Sequence, residues 1–207
     1  MIVTWYGEGC FKFQNGETTL LTDLPDMSSG LTAPRGKVSV YVKTLTPWPT
    51  EDEHNNAEVM VIGAGEYDVQ GVRIKGFELA EESSKNFFKT IYVVVWDDIT
   101  IGLLGHVSSP VPPASLEHFE EIDVLVTPAG GDPFIDQKEL IKLVKQLNPK
   151  IYIPSFYKIN GLKRKSADAK EVLEALNGGS EKPEEKFVFK KKDLAEIKKT
   201  KVVTLKT

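Results

Sequence analysis

The chain has 207 residues, a formal net charge of −4, 41% hydrophobic and 27% charged side chains, and a single cysteine. That length suits one domain, residues 1–207, able to bury roughly 70% of its unfolded surface without a structural metal, and one cysteine rules out an internal disulfide, as suits a reducing compartment. The strand-like opening Ile2-Val3-Thr4-Trp5-Tyr6 is unlike a secretory leader and no apolar run approaches the ~20 residues of a membrane span, so a cytoplasmic protein without a membrane partner is expected.

In chain order, Ile2–Tyr6 and Cys10–Gln14 read as strands around Gly7-Glu8-Gly9, and Asn15-Gly16 signals a hairpin into Thr18–Thr22. Residues 24–37 read as a loop, Val38–Val42 as a strand, and residues 43–57, with Pro47 and Pro49, as no element. Val59–Ile62, Glu66–Val69 and Val72–Lys75 are strands, the last two joined at Gln70-Gly71, and Asp97-Asp98 joins Lys89–Trp96 to Ile99–Leu104. Pro112-Pro113 opens a short helix to about Phe119, followed by the buried strand Val124–Thr127. Asp136 and Glu139 have capping-box spacing ahead of Leu140, Ile141, Val144 and Leu147, and Asn148-Pro149 ends that helix. A strand Ile151–Ile153, a helix capped by Ser166 and ended by Asn177-Gly178-Gly179, and strands Phe187–Lys191 and Lys201–Leu205 complete the chain. A long β section followed by alternating strand and helix predicts two mixed sheets face to face with helices outside.

Charge is uneven. Residues 1–150 carry 12 basic and 22 acidic side chains (net −10), and residues 151–207 carry 14 and 8 (net +6). A solvated helix face with basic edge strands accounts for this, and a nucleic-acid surface is the less favoured reading.

Four segments share order and spacing with a known family. They are Thr4-Trp5-Tyr6-Gly7-Glu8-Gly9-Cys10-Phe11, then Gly63-Ala64-Gly65-Glu66-Tyr67-Asp68-Val69-Gln70-Gly71-Val72, then Gly102-Leu103-Leu104-Gly105-His106, and last Pro128-Ala129-Gly130-Gly131 with Ile153-Pro154-Ser155-Phe156-Tyr157. Together they resemble the metallo-β-lactamase superfamily, in the branch of L-ascorbate-6-phosphate-lactonase-like hydrolases. The resemblance implies a four-layer αββα sandwich and metal-dependent hydrolysis. It also implies a metal-bridging aspartate where Leu103 stands, a late histidine ligand where Phe156 stands, an early histidine where Glu8 stands, and an H-x-H-x-D-H run between Val40 and Asn56. Of that run only Glu53-His54-Asn55-Asn56 is similar. Two metals sharing a hydroxide need clustered imidazoles and carboxylates, whereas the chain has three histidines. A buried leucine and phenylalanine each contribute about 1.5–3 kcal/mol by packing. The expectation is therefore a metal site converted into core, with no cofactor. Zinc is the cofactor of the alternative, a hydrolase of a phosphorylated or lactone-type substrate.

Glu8, between two glycines at the cleft rim, and His106, at a strand end, are the candidate acid–base residues, singly or as a pair. Glu66 and Asp132 are candidates for lining the pocket. His54 with Glu51 or Glu53 is the residual metal candidate, against a solvated loop. His118 is expected exposed, and Cys10 buried as a small hydrophobe. Gly63-Ala64-Gly65 precedes a strand and not a helix, so it reads as a turn and not a phosphate cradle. Lys158–Lys165 carries four cations near Phe156 and Tyr157, a pattern able to meet phosphates and stack a base. The leading expectation is a non-catalytic module for a small molecule or a protein partner.

Overall fold

The computed structural model describes residues 1–50, 56–177 and 182–207. Strands β1 (Ile2–Trp5), β2 (Phe11–Asn15) and β3 (Thr18–Thr22) form an antiparallel meander, and β4 (Val38–Lys43) and β6 (Ala57–Ile62) extend it in parallel. Between them, β5 (Leu45–Pro47) leaves this sheet and pairs with β9 (Phe87–Trp96) of the other. That strand was not expected in residues 43–57; three residues ending in proline show no period, and only the partner strand defines them.

The second sheet adds β7 (Gly65–Val69), β8 (Val72–Glu78), β10 (Ile99–Leu103), β11 (Val124–Pro128), β12 (Ile151–Ser155) and β14 (Lys201–Val202), in the order β14-β12-β11-β10-β9-β8-β7. The turns between β7 and β8 and between β9 and β10 place both central residues at positive φ: Gln70 at 51° and Gly71 at 80°, Asp97 at 51° and Asp98 at 59°. Such turns match the twist of the strands that they join, which is why these hairpins were legible.

Side chains alternate between layers. Val40 and Val42 face the inter-sheet core while Tyr41 faces outward with Cys10 and Leu21. The inter-sheet core joins Trp5, Phe11 and Phe13 of one sheet to Ile74, Val94, Ile101, Leu103 and Val126 of the other. The far face of the second sheet, with Ile91, Leu125 and Tyr152, is covered by α1 (Pro113–Leu116) and the turn to Phe119, by α2 (Gln137–Leu147) and by α3 (Lys170–Ala175). The short strand β13 (Phe187–Val188) pairs with β1, and α4 (Lys191–Ala195) sets Leu194 into the inter-sheet core.

Several local expectations change, and the closing strand expected over Lys201–Leu205 is only Lys201–Val202. The strand expected to Lys191 stops at Val188, because the chain turns into α4. Ser166 caps nothing: α3 begins at Lys170, whose N–H donates to Asp168 Oδ1 at 3.0 Å. Asp136 does cap α2, accepting from Lys138 N (2.8 Å) and Glu139 N (3.3 Å), while the Glu139 carboxylate pairs with Lys142 at 2.7 Å. Asp136→Ala should cost about 1 kcal/mol of unfolding free energy in urea titration; a loss under ~0.3 kcal/mol would show the cap to be redundant. No helix among the described residues is long and apolar enough to cross a membrane.

Candidate functional site

At one edge of the sandwich a cleft of about 580 Å³ opens between the turn after β1, the β5–β9 pair and the segments following β10, β11 and β12. Its lining includes Glu8, Lys89, His106, Phe134, Phe156 and Arg164. Ligands gather at strand ends because loops there can converge over a rigid frame.

The turn after β1 is closed by Tyr6 N–H to Cys10 O (2.8 Å) and Cys10 N–H to Gly7 O (2.9 Å). It holds Glu8 at φ 48°, in the left-handed region. Phe156 adopts φ 52° directly after β12, and its N–H donates to Glu8 O at 3.2 Å. Asp23, directly after β3, lies at φ 27°. Two non-glycine cleft residues in left-handed backbone, with Asp23 buried behind them in the same region, are the kind of strain that surrounding structure must hold in place. Trp5 supplies part of that hold: its indole N–H donates to Glu8 O at 2.9 Å and its ring stacks on Tyr157 at 5.0 Å.

Glu8 and His106 both line the cleft, but no hydrogen bond joins them. The Glu8 carboxylate accepts from Arg164 Nε at 2.7 Å, and it is 14% exposed. Arg164 also lies 4.9 Å over the Phe134 ring and reaches Phe156 O at 3.4 Å. The arginine of the basic loop thus folds into the cleft, while Lys158, Lys163 and Lys165 stay exposed.

His106 instead meets Thr44, with Nδ1 at 2.7 Å from Oγ1. Thr44 donates its N–H (2.8 Å) and its hydroxyl (2.7 Å) to the carboxylate of buried Asp23. Gly105 lets this happen, since a β-carbon there would collide with the Thr44 side chain. Burial, and then the positive charges of Lys89, Arg164 and Lys43, hold the imidazole well below its ordinary pKa, at about 3. His106 is therefore neutral at physiological pH.

Phe156 is 3% exposed and packs edge-on against His106 (centroids 4.7 Å, 62°) and against Phe134 (4.5 Å). A β-carbon on Gly9 would come within 2.5 Å of its ring. Leu103 is 3% exposed in the inter-sheet core. Behind the cleft wall, Lys89 pairs with Glu82 at 2.9 Å, and the Glu82 carboxylate also accepts from the N–H and hydroxyl groups of Ser108 and Ser109.

The other candidates lie apart. Glu66 is 76% exposed on β7, paired with Lys75, and does not line the cleft. Asp132 only precedes the lining residues Pro133 and Phe134. His54, Glu51 and Glu53 lie outside the described residues. His118 is exposed and stacks on Phe77 at 4.0 Å. Cys10 is fully buried; burial and the Asp23 carboxylate push its thiol far up, which leaves it inert. The sequence reading missed Asp23, Thr44 and the Glu82–Lys89 pair, and took Arg164 for a surface cation. The one available signal was an acid at the end of Thr18–Thr22.

A family model described as β-lactamase superfamily domain matches residues 2–155. Among solved structures, a candidate zinc-dependent hydrolase of the metallo-β-lactamase superfamily from Thermotoga maritima is 26% identical, with a TM-score of 0.80 over 99% of this chain and 97% of that one. Igni18, a metallo hydrolase from Ignicoccus hospitalis, is 15% identical, with a TM-score of 0.62 over 91% and 99%. A candidate metal-dependent hydrolase from Parabacteroides distasonis is 12% identical, with a TM-score of 0.61 over 99% and 93%. No curated protein matches the sequence. None of these findings singles out the lactonase-like branch.

Proposed function

The chain belongs to the β-lactamase superfamily, and from that premise we propose that it is a hydrolase-fold protein that works without a metal centre and uses its cleft to bind a small molecule. The observation that carries this reading is Phe156: its ring lies on Gly9 and against His106, in the place of an expected ligand.

The remaining donors fit a hydrolytic metal poorly. Glu8 is held by Arg164, and the Asp23 carboxylate takes both hydrogens of Thr44. Lys89 likewise engages the Glu82 carboxylate, so that acid is not free for a cation either. No group of three His, Cys, Asp or Glu side chains able to hold a metal ion occurs among the described residues. The volume is in the ordinary range of small-ligand sites and much of the wall is aromatic.

The competing reading is a zinc-dependent hydrolase of a phosphorylated or lactone-type substrate, and it draws on the description of the Thermotoga relative. Elemental analysis separates the two. Full-length protein purified without chelator should carry zinc, manganese and iron far below one ion per chain. Stoichiometric metal would overturn the metal-free reading.

A further inference from the structure

We propose that the cleft is a site for a small phenol, with the ring among Phe87, Phe134 and Phe156 and the hydroxyl donating to Nε2 of His106. This assignment rests on the metal-free reading, because a cation would take the same lone pair.

The direction of the hydrogen bonds decides the chemistry. The Thr44 hydroxyl has one proton, and it goes to Asp23 Oδ2 at 2.7 Å. Its lone pair therefore faces Nδ1 of His106, also at 2.7 Å, so Nδ1 must carry the imidazole proton. The Asp23–Thr44–His106 chain thereby fixes a single tautomer, with the acceptor lone pair on Nε2. Nε2 has no hydrogen-bond partner among the described residues, and it is not among the sealed polar atoms that lack one. The ring lines the cleft with 20% of the side chain exposed. A ligand that enters meets a neutral acceptor.

An acceptor calls for a donor. A carboxylate or phosphate would set its own lone pairs against Nε2, and the two nearby cations offer it little, since Lys89 is paired with Glu82 and Arg164 with Glu8. Water-exposed alcohols of any kind satisfy the donor requirement, but the walls favour a flat ring. Phe134 and Phe156 stand 4.5 Å apart at 43°, an arrangement that takes a third ring edge-on or offset. Pro47, Pro133 and Leu45 close the apolar surround.

The test compares phenol, toluene and benzoate, titrated calorimetrically into the full chain, with elemental analysis of the same preparation. Phenol should bind about tenfold more tightly than toluene, the value of one net hydrogen bond to a buried acceptor, and benzoate more weakly than either. In His106→Leu the preference for phenol should vanish while toluene binding remains. Thr44→Val, which frees the tautomer, should reduce the same preference and serves if the leucine variant does not fold. Nitrogen NMR of the unaltered protein should find the His106 proton on Nδ1. Equal binding of phenol and toluene, tighter benzoate, no binding at all, or a proton on Nε2 would each overturn the assignment. Stoichiometric metal in the preparation would instead defeat the metal-free reading; metal-free protein without phenol preference defeats the ligand assignment alone.

Discussion

Leu103→Asp should cost on the order of 4 kcal/mol of stability at pH 7, and added zinc should not restore it. Leu103 ends β10, opposite Tyr92 on β9 and Val126 on β11, and is 3% exposed in the inter-sheet core. The substitution loses the leucine packing, worth about 1.5–3 kcal/mol, and adds a carboxyl that this core cannot solvate. The group escapes part of the penalty by staying protonated, so its folded pKa rises above the unfolded value of about 3.9. A raised carboxyl pKa means that the neutral form suits the fold: the variant's deficit is smallest at acidic pH and grows as pH rises through the folded value. Urea midpoints at pH 5 and pH 7, with and without zinc, measure both effects. Restoration by zinc would mean that the neighbouring donors still form a cation site, and a variant as stable as the parent would mean that position 103 is not core.

How much of this was legible follows the range of the interactions. The hairpins at Gln70-Gly71 and Asp97-Asp98 are written in adjacent residues, since Gly71, Asp97 and Asp98 are residue types that tolerate positive φ; Gln70 is the exception. The sandwich and the burial of Leu103 and Phe156 followed from the resemblance, whose motifs run in order through most of the chain. The bonds that make the site do not. Glu8 meets Arg164 across 156 residues, and Thr44 meets His106 across 62, so neither sequence neighbourhood names its partner. Arg164 sits in a run of lysines and looks like them; only the fold turns it inward. The helix Lys191–Ala195 escaped notice because it has one apolar anchor, Leu194, and too few residues to show a period. Ser166 has the right residue type for a cap, but the N-cap position falls on Ala169 and the first helical N–H, that of Lys170, donates to Asp168.

Lys89→Met should be the second damaging change, at about 3 kcal/mol, because it leaves the Glu82 carboxylate buried without its counter-charge. The pair is 13% and 7% exposed, and it ties β9 to Ser108 and Ser109, the residues that follow His106. Burial raises the Glu82 carboxyl pKa, but hydrogen bonds from Ser108, Ser109 and Lys89 outweigh it and leave the group below its ordinary value. A lowered carboxyl pKa stabilises the fold above the unfolded value of about 4.3 and is lost as pH falls through the folded value. Acid unfolding should therefore begin below that point, and Glu82→Gln should remove that share of the acid dependence while lowering stability at pH 7. Denaturant midpoints between pH 7 and pH 3 check both variants. If Lys89→Met stays within ~0.5 kcal/mol of the parent at pH 7, the four serine donors alone neutralise Glu82. The ion pair would then orient the cleft wall without holding it. Since Lys89 adds to the burial that keeps His106 neutral, its removal should raise the imidazole pKa while burial still holds it below the ordinary range, a shift that proton NMR titration of the ring would register even where stability is unchanged.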